Sequence, residues 1–251
     1  MKIAVCVKAV PDAFGRRIDP ATFRLDRTGD LSLSEYDAHP VEEALRLRES
    51  NGGEVIVVSL GPERAADALR KTLAMGADRS VLVSDGAFAG ADLLATAHAL
   101  AGALRRETAD LILFGQQSAD GDGACLWAAV AESLRLPVIS QVSEITVVDG
   151  GLVGRRQTEF GYERIRVPLP AVVAVSDAIN EPRYPSLKGI MGAKAKPQEV
   201  IGADDVGGEG ASGTSVLSVS TPPARARGRR IEGTSDPAQD IVDYLVKERL
   251  L

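Results

Sequence analysis

Residues 115–123 read GQQSADGDG and follow the apolar run DLILF (Asp110–Phe114). A glycine-bearing turn that leaves a buried strand for a helix lets backbone approach a ligand closely. Free N–H groups at the helix start favour a phosphate there. Gln116, Gln117 and Ser118 add side-chain hydrogen-bonding groups, and Gly115 and Gly123 bracket the turn. Asp120 and Asp122 read two ways: as caps of the following helix, or as acids aimed away from a ligand, because a carboxylate facing a phosphate repels it. Nucleotide binding and plain helix capping both fit the local pattern.

Other chemistries find less support. No G-x-G-x-x-G follows a strand, and no G-x-x-x-x-G-K-[ST] or G-x-S-x-G occurs. The two histidines, His39 and His98, stand alone, without the Cys/His spacing of a metal site. A hydrolase acting on adenine nucleotides would have to draw its base or metal ligands from Asp120 and Asp122. A chain of 251 residues without a catalytic constellation points to a carrier, a binder or a subunit rather than to an enzyme.

The elements that must position these residues follow from periodicity. Strands are predicted at Ile3–Val10, Glu54–Leu60, Ser80–Asp85 and Asp110–Gly115. Helices are predicted at Pro40–Ser50, Pro62–Gly76, about 91–106 and about 121–134. Near-continuous apolar strands alternating with helices indicate a parallel sheet covered on both faces. In such sheets ligands bind beyond the carboxyl ends of the strands. From residue 144 onward the pattern changes: two strands meet at Asp149-Gly150-Gly151, a hairpin signal, so an antiparallel element is added.

The segment NEPRYPSLKGIM (Asn180–Met191) follows the buried run AVVAVS (Ala171–Ser176). Pro182 and Pro185 make it an irregular loop, yet it carries Leu187, Ile190 and Met191. Ile190 and Met191 are expected to turn inward and anchor the loop base, with Leu187 exposed between Pro185 and Gly189. After residue 200 the chain is Gly- and Ser-rich and reads as a flexible linker (residues 202–215). Beyond it come a short strand candidate (Val216–Ser220) and an arginine cluster (Arg225, Arg227, Arg229, Arg230). Asp236-Pro237 then starts a helix with Ile241, Tyr244 and Leu245 on one face. Domain boundaries are therefore set at 1–200 for an α/β domain and 201–251 for a linker and partner-wrapping arm.

A net charge of −6 argues against affinity for nucleic acid or anionic membrane, and the arginine cluster reads as a solvated or partner-facing arm. MKIAVCVKAV lacks signal-peptide architecture, and no apolar run is long enough to span a bilayer. A cytoplasmic location is expected, with Cys6 and Cys125 as packing thiols.

Several blocks together resemble the β subunit of electron transfer flavoprotein: VKAVPD (Val7–Asp12), VEEALRLRE (Val41–Glu49), SLGPERAADALRKTLAMGADR (Ser59–Arg79), GQQSADGDG and NEPRYPSLKGIMGAKAK (Asn180–Lys196). They run collinearly over residues 1 to about 200. The resemblance implies an α/β fold of the adenine-nucleotide α-hydrolase-like, Rossmann-like kind, with a hairpin element and an extended C-terminal arm. It implies a heterodimer with an α subunit, sharing an FAD that carries electrons from flavoprotein dehydrogenases of the acyl-CoA dehydrogenase type to a downstream acceptor. Ala13 and Phe14 would lie near that FAD. A buried AMP, or a second FAD in electron-bifurcating members, would lie on Cys6, Ser34 to Asp37, Leu60 and Gly115 to Leu126. Ala124, Cys125 and Leu126 offer no side-chain donor, so backbone N–H groups and Ser118 would hold a phosphate. Leu187, flanked by Pro185, Ile190 and Met191, would dock the dehydrogenase. The rival reading is a stand-alone nucleotide-sensing α/β protein.

Overall fold

The computed structural model describes residues 1–11, 17–208, 212–225, 228, 230 and 236–251. Its strands and helices in chain order are β1 (Lys2–Cys6), β2 (Ala9–Pro11), β3 (Leu31–Leu33), α1 (Glu35–Asn51), β4 (Glu54–Leu60), α2 (Ala66–Met75), β5 (Arg79–Val83), α3 (Leu93–Glu107), β6 (Leu111–Gly115) and α4 (Leu126–Leu134). There follow β7 (Val138–Val148), β8 (Gly151–Thr158), β9 (Gly161–Pro168), β10 (Ala171–Val175), α5 (Leu187–Ala193), β11 (Gln198–Ile201) and α6 (Pro237–Lys247). The chain divides into two compact units, Met1–Val216 and Leu217–Leu251.

Nine strands form one sheet in the order β11-β5-β4-β1-β6-β10-β7-β8-β9. Pairing is parallel from β11 to β7 and antiparallel from β7 to β9. Side-chain alternation splits the central strands between two cores. Ile3 and Val5 of β1 pack with Leu45 of α1 and Leu69 and Leu73 of α2. Ala4 and Cys6 pack with Leu100 and Leu104 of α3 and Val130 of α4. This is the α/β arrangement expected, with the antiparallel element joined to one end of the sheet. Among the described residues, no helix is long and apolar enough to cross a membrane.

Several boundaries depart from the sequence reading. The predicted strand Ile3–Val10 stops at Cys6, because the Lys8 amide leaves the ladder and donates to Asp37 Oδ2 at 2.7 Å. Residues 9–11 form a separate two-stranded sheet with β3. Helix α1 begins at Glu35, not at Pro40, which lies inside it. Pro40 has no N–H for the Tyr36 carbonyl, and Gly115 packs against that carbonyl, where a Cβ would stand 2.9 Å from the oxygen. Asp122 and Ala124 adopt positive φ (45° and 42°), so the helix expected from about 121 starts only at Leu126. Residues 216–220 have no regular structure. The hairpin at Asp149-Gly150 is present, with Gly150 at φ 69°. Asp236 caps α6 by accepting from the Gln239 amide at 3.1 Å.

The Gly-rich stretch after Ile201 is docked at its start. Val206 is buried on α3, and a Cβ on Gly102 would lie 2.1 Å from the Val206 carbonyl. Residues 209–211, Arg227 and Arg229 fall outside the described residues.

Candidate functional site

Strands β1, β4 and β6 end side by side, and their carboxyl ends deliver Cys6, Lys8, Leu60 and Gly115 to one edge of the sheet. The start of α1 closes the same edge. Ser34 is fully buried, and its hydroxyl accepts from the Ala119 amide at 3.3 Å. Gly115 is required here: a Cβ would stand 2.6 Å from Asp37 Oδ1. Asp37 is 5% exposed, and burial pushes its carboxyl up to about 7, against the opposing pull of the Lys8 amide and ammonium. Burial likewise pushes the Cys6 thiol well above its ordinary value, with the Asp37 charge adding to it, so Cys6 is an inert packing group.

The turn after β6 resolves the ambiguity over its two acids. Asp120 does not cap α4. Its side chain is fully shielded, taking Lys8 Nζ at 2.7 Å on Oδ1 and an Arg27 Nη at 2.6 Å on Oδ2. Burial pushes its carboxyl up, but Lys8 and Arg27 outweigh burial and hold it at about 2. Lys8 Nζ also reaches Ser118 Oγ at 3.4 Å. Asp122 is exposed, and its amide closes the turn onto the Ser118 carbonyl at 3.0 Å. Arg27 is held in turn by Arg64, whose guanidinium donates to the carbonyls of Arg27, Thr28 and Gly29.

Residues Gly121 to Cys125 are exposed, and α4 starts at Leu126 without a side-chain cap from Cys125. Cys125 is thus not the buried packing thiol expected from its neighbours. Among the described residues, no backbone carbonyl accepts from the amides of Gly123, Ala124 or Cys125. A phosphate fits this arrangement: open amides at an uncapped helix start, with two half-exposed cations beside it that already neutralise Asp120. The Trp127 indole N–H donates to the Gln116 carbonyl at 3.2 Å, and its ring packs on the α3–α4 core. Gln116, Gln117 and Ser118 are half-buried at the same edge.

The structure thus brings together Cys6, Ser34, Asp37, Leu60, Gly115 and the turn to Leu126. Ala13 and Phe14 lie outside the described residues. Lys8 and Arg27 were missed as site residues. Lys8 stands within the block VKAVPD, whereas Arg27 is far from every motif and only folding brings it to Asp120.

The NEPRYPSLKGIM segment corrects a second expectation. From Leu187 it is a helix, α5, capped by Ser186, whose hydroxyl accepts from the Gly189 amide at 3.1 Å. Ile190 and Met191 do not turn inward; they are 52% and 69% exposed, beside Leu187 at 76% and Tyr184 at 94%. Helical spacing explains this. Gly189 and Ala193, four apart, face α2, where a Gly189 Cβ would stand 2.3 Å from the Ala74 carbonyl. Leu187, Ile190 and Met191, three and four apart, then share the opposite, outward side.

The model of the family described as electron transfer flavoprotein domain matches residues 22–206. An electron transfer flavoprotein subunit beta from Mycobacterium leprae (strain TN) is 40% identical over 264 residues, covering 99% of both chains. One from Thermoanaerobacterium thermosaccharolyticum is 40% identical over 254 residues, covering 98% of each. The Caffeyl-CoA reductase-Etf complex subunit CarD of Acetobacterium woodii is 39% identical over 262 residues and the whole of both chains. With the sheet-end site and the collinear motifs in place, this full-length likeness shows that the chain belongs to the electron transfer flavoprotein family as a β subunit, whose role is electron transfer.

Proposed function

We propose that the chain is the β half of a heterodimer with an electron transfer flavoprotein α subunit, working in the cytoplasm between flavoprotein dehydrogenases and a downstream acceptor. When bound with the α subunit, FAD supplies the redox chemistry, accepting electrons from the dehydrogenase and releasing them to the acceptor. The chain contributes no bond-making group of its own. Ala13 and Phe14 lie along that FAD, and the arm, beyond the part docked on α3, embraces the α subunit. In its own strand-end site the chain holds AMP, with adenosine among Cys6, Ser34, Asp37 and Leu60. The phosphate takes the amides of Gly123 to Leu126, Ser118, and the cations Lys8 and Arg27.

The observation that carries the nucleotide reading is Asp120. Its shielding by Lys8 and Arg27 removes the repulsion that would otherwise keep a phosphate from the α4 start. The exposed Leu187, between Pro185 and the flanking Ile190 and Met191, is the docking anchor for an acyl-CoA dehydrogenase-type partner, because a few projecting side chains carry most docking energy in small redox interfaces.

Co-expression with an α subunit, followed by acid release and chromatography of bound nucleotides, tests the reading. One FAD and one AMP per heterodimer are expected. Two FAD and no AMP would assign the strand-end site to a second flavin, and no nucleotide beyond one FAD would overturn the AMP assignment. A homodimer that binds ATP reversibly without an α subunit would favour the stand-alone sensor.

A further inference from the structure

The outward side of α5 carries its exposed apolar residues, while Gly189 and Ala193 seat that short helix on α2 and Lys196, just beyond it, donates to the carbonyls of Leu73 at 2.9 Å and Ala77 at 2.5 Å. The stretch just before α5 is held to a different helix. Arg183 lays its guanidinium across two carboxylates of α1. Nε and Nη2 donate to Glu42 Oε2 and Oε1 at 2.7 and 3.1 Å. Nη1 and Nη2 donate to Glu49 Oε1 and Oε2 at 2.6 and 3.1 Å. The Arg183 amide also donates to Glu42 Oε2 at 3.2 Å. Glu42 is 3% exposed, and its Oε1 also accepts from Arg46 Nε at 2.8 Å.

The rest of the segment repeats the pattern. Arg46 reaches the Glu181 carbonyl at 3.3 Å. Asn180 Nδ2 donates to the His39 carbonyl at 3.1 Å and Glu43 Oε2 at 3.0 Å, while His39 Nδ1 lies 3.0 Å from the Asn180 carbonyl. An arginine fork spread over two carboxylates is a specific device that lysine cannot copy. Between this clamp and Leu187 stand only Tyr184, Pro185 and the capping Ser186, which leave little backbone freedom.

We propose that Arg183 is a positioning residue for electron transfer: held by Glu42 and Glu49, it fixes the direction in which α5 presents Leu187 to the dehydrogenase. This rests on the reading of Leu187 as the docking anchor. An anchor presented by a rigid support loses little freedom when it docks, and releasing the support returns that cost to the binding step. Both carboxylates belong to α1, whose first turn also forms the strand-end site, so the support of the docking helix and the wall of that site are one rigid element.

The test is a double-mutant cycle in the assembled heterodimer, assayed as electron acceptor for a purified acyl-CoA dehydrogenase that reduces the wild-type complex. Arg183→Ala is expected to raise KM for the heterodimer roughly three- to tenfold, with kcat and flavin content unchanged. In a Leu187→Ala background the same substitution is expected to have no further effect, because there is no anchor left to position. Glu49→Gln, which removes only the half-exposed carboxylate, is expected to give a smaller rise of the same kind and keeps the cycle usable if Arg183→Ala does not assemble. A lowered kcat, or an Arg183 or Glu49 effect that persists in full without Leu187, would overturn the inference while leaving the docking reading intact. An unchanged KM for Leu187→Ala alone would overturn both.

Discussion

Asp37→Asn isolates the energetic consequence of placing an acid at the edge of the sheet. Asp37 is buried in the first turn of α1, where burial pushes its carboxyl from 3.8 up to about 7. The Lys8 amide and ammonium oppose that rise, the Asp120 charge adds to it, and the Gly115 amide opposes it again. Between about pH 4 and pH 7 the native chain therefore keeps a proton that the unfolded chain has released. The folded-state value is raised, so this contribution is fully present below 3.8 and is lost as pH rises through about 7. The interval from 3.8 to about 7, at about 1.4 kcal/mol per pH step, sets a ceiling of about 4 kcal/mol.

Asparagine cannot ionise, so the variant should lack this slope. Its Nδ2 takes the place of a carboxyl oxygen among the amide donors, which costs about 1–3 kcal/mol. The diagnostic is thus the slope and not the offset. In urea titrations of the purified chain from pH 4.5 to 8, the stability of Asp37→Asn relative to wild type should rise by about 2–4 kcal/mol as pH increases. A difference that stays flat across that range would refute the assignment of a neutral-range titration to Asp37.

Gly189→Ala drives a Cβ into the Ala74 carbonyl and should lift α5 off α2, costing about 1–3 kcal/mol in urea unfolding and raising the dehydrogenase KM; wild-type values for both would remove the close contact. Arg79→Met strips Glu107 of its main partner and leaves only Lys2 at 3.3 Å, so a loss of about 3 kcal/mol at pH 7 is expected in the same assay. Burial pushes the Glu107 carboxyl up, but Arg79 and Lys2 outweigh it and hold the group below 4.5; the deficit should shrink as pH falls below that value. Deleting residues 217–251 should abolish co-purification of an α subunit while residues 1–216 still unfold cooperatively; retained co-purification would count against the embracing arm.

Periodicity alone located the parallel core. The run EVIVVSL is β4 from end to end, and the alternation of apolar strands with helices is the α/β sheet observed. The turn chemistry of Asp149-Gly150 and the cap at Asp236-Pro237 were equally legible, because each acts within a few residues of itself. The blocks from VKAVPD to NEPRYPSLKGIM carried the family, since collinear motifs survive without knowledge of contacts. What escaped the sequence depends on partners distant along the chain. The end of β1 is set by Asp37, which takes the Lys8 amide from the ladder. Whether Asp120 caps a helix or lies shielded is decided by Lys8 and Arg27, 112 and 93 residues away. Ile190 and Met191 looked like anchors because they are apolar. They face outward because α2 leaves room for a glycine and an alanine only, and that limit exists only once the two helices meet.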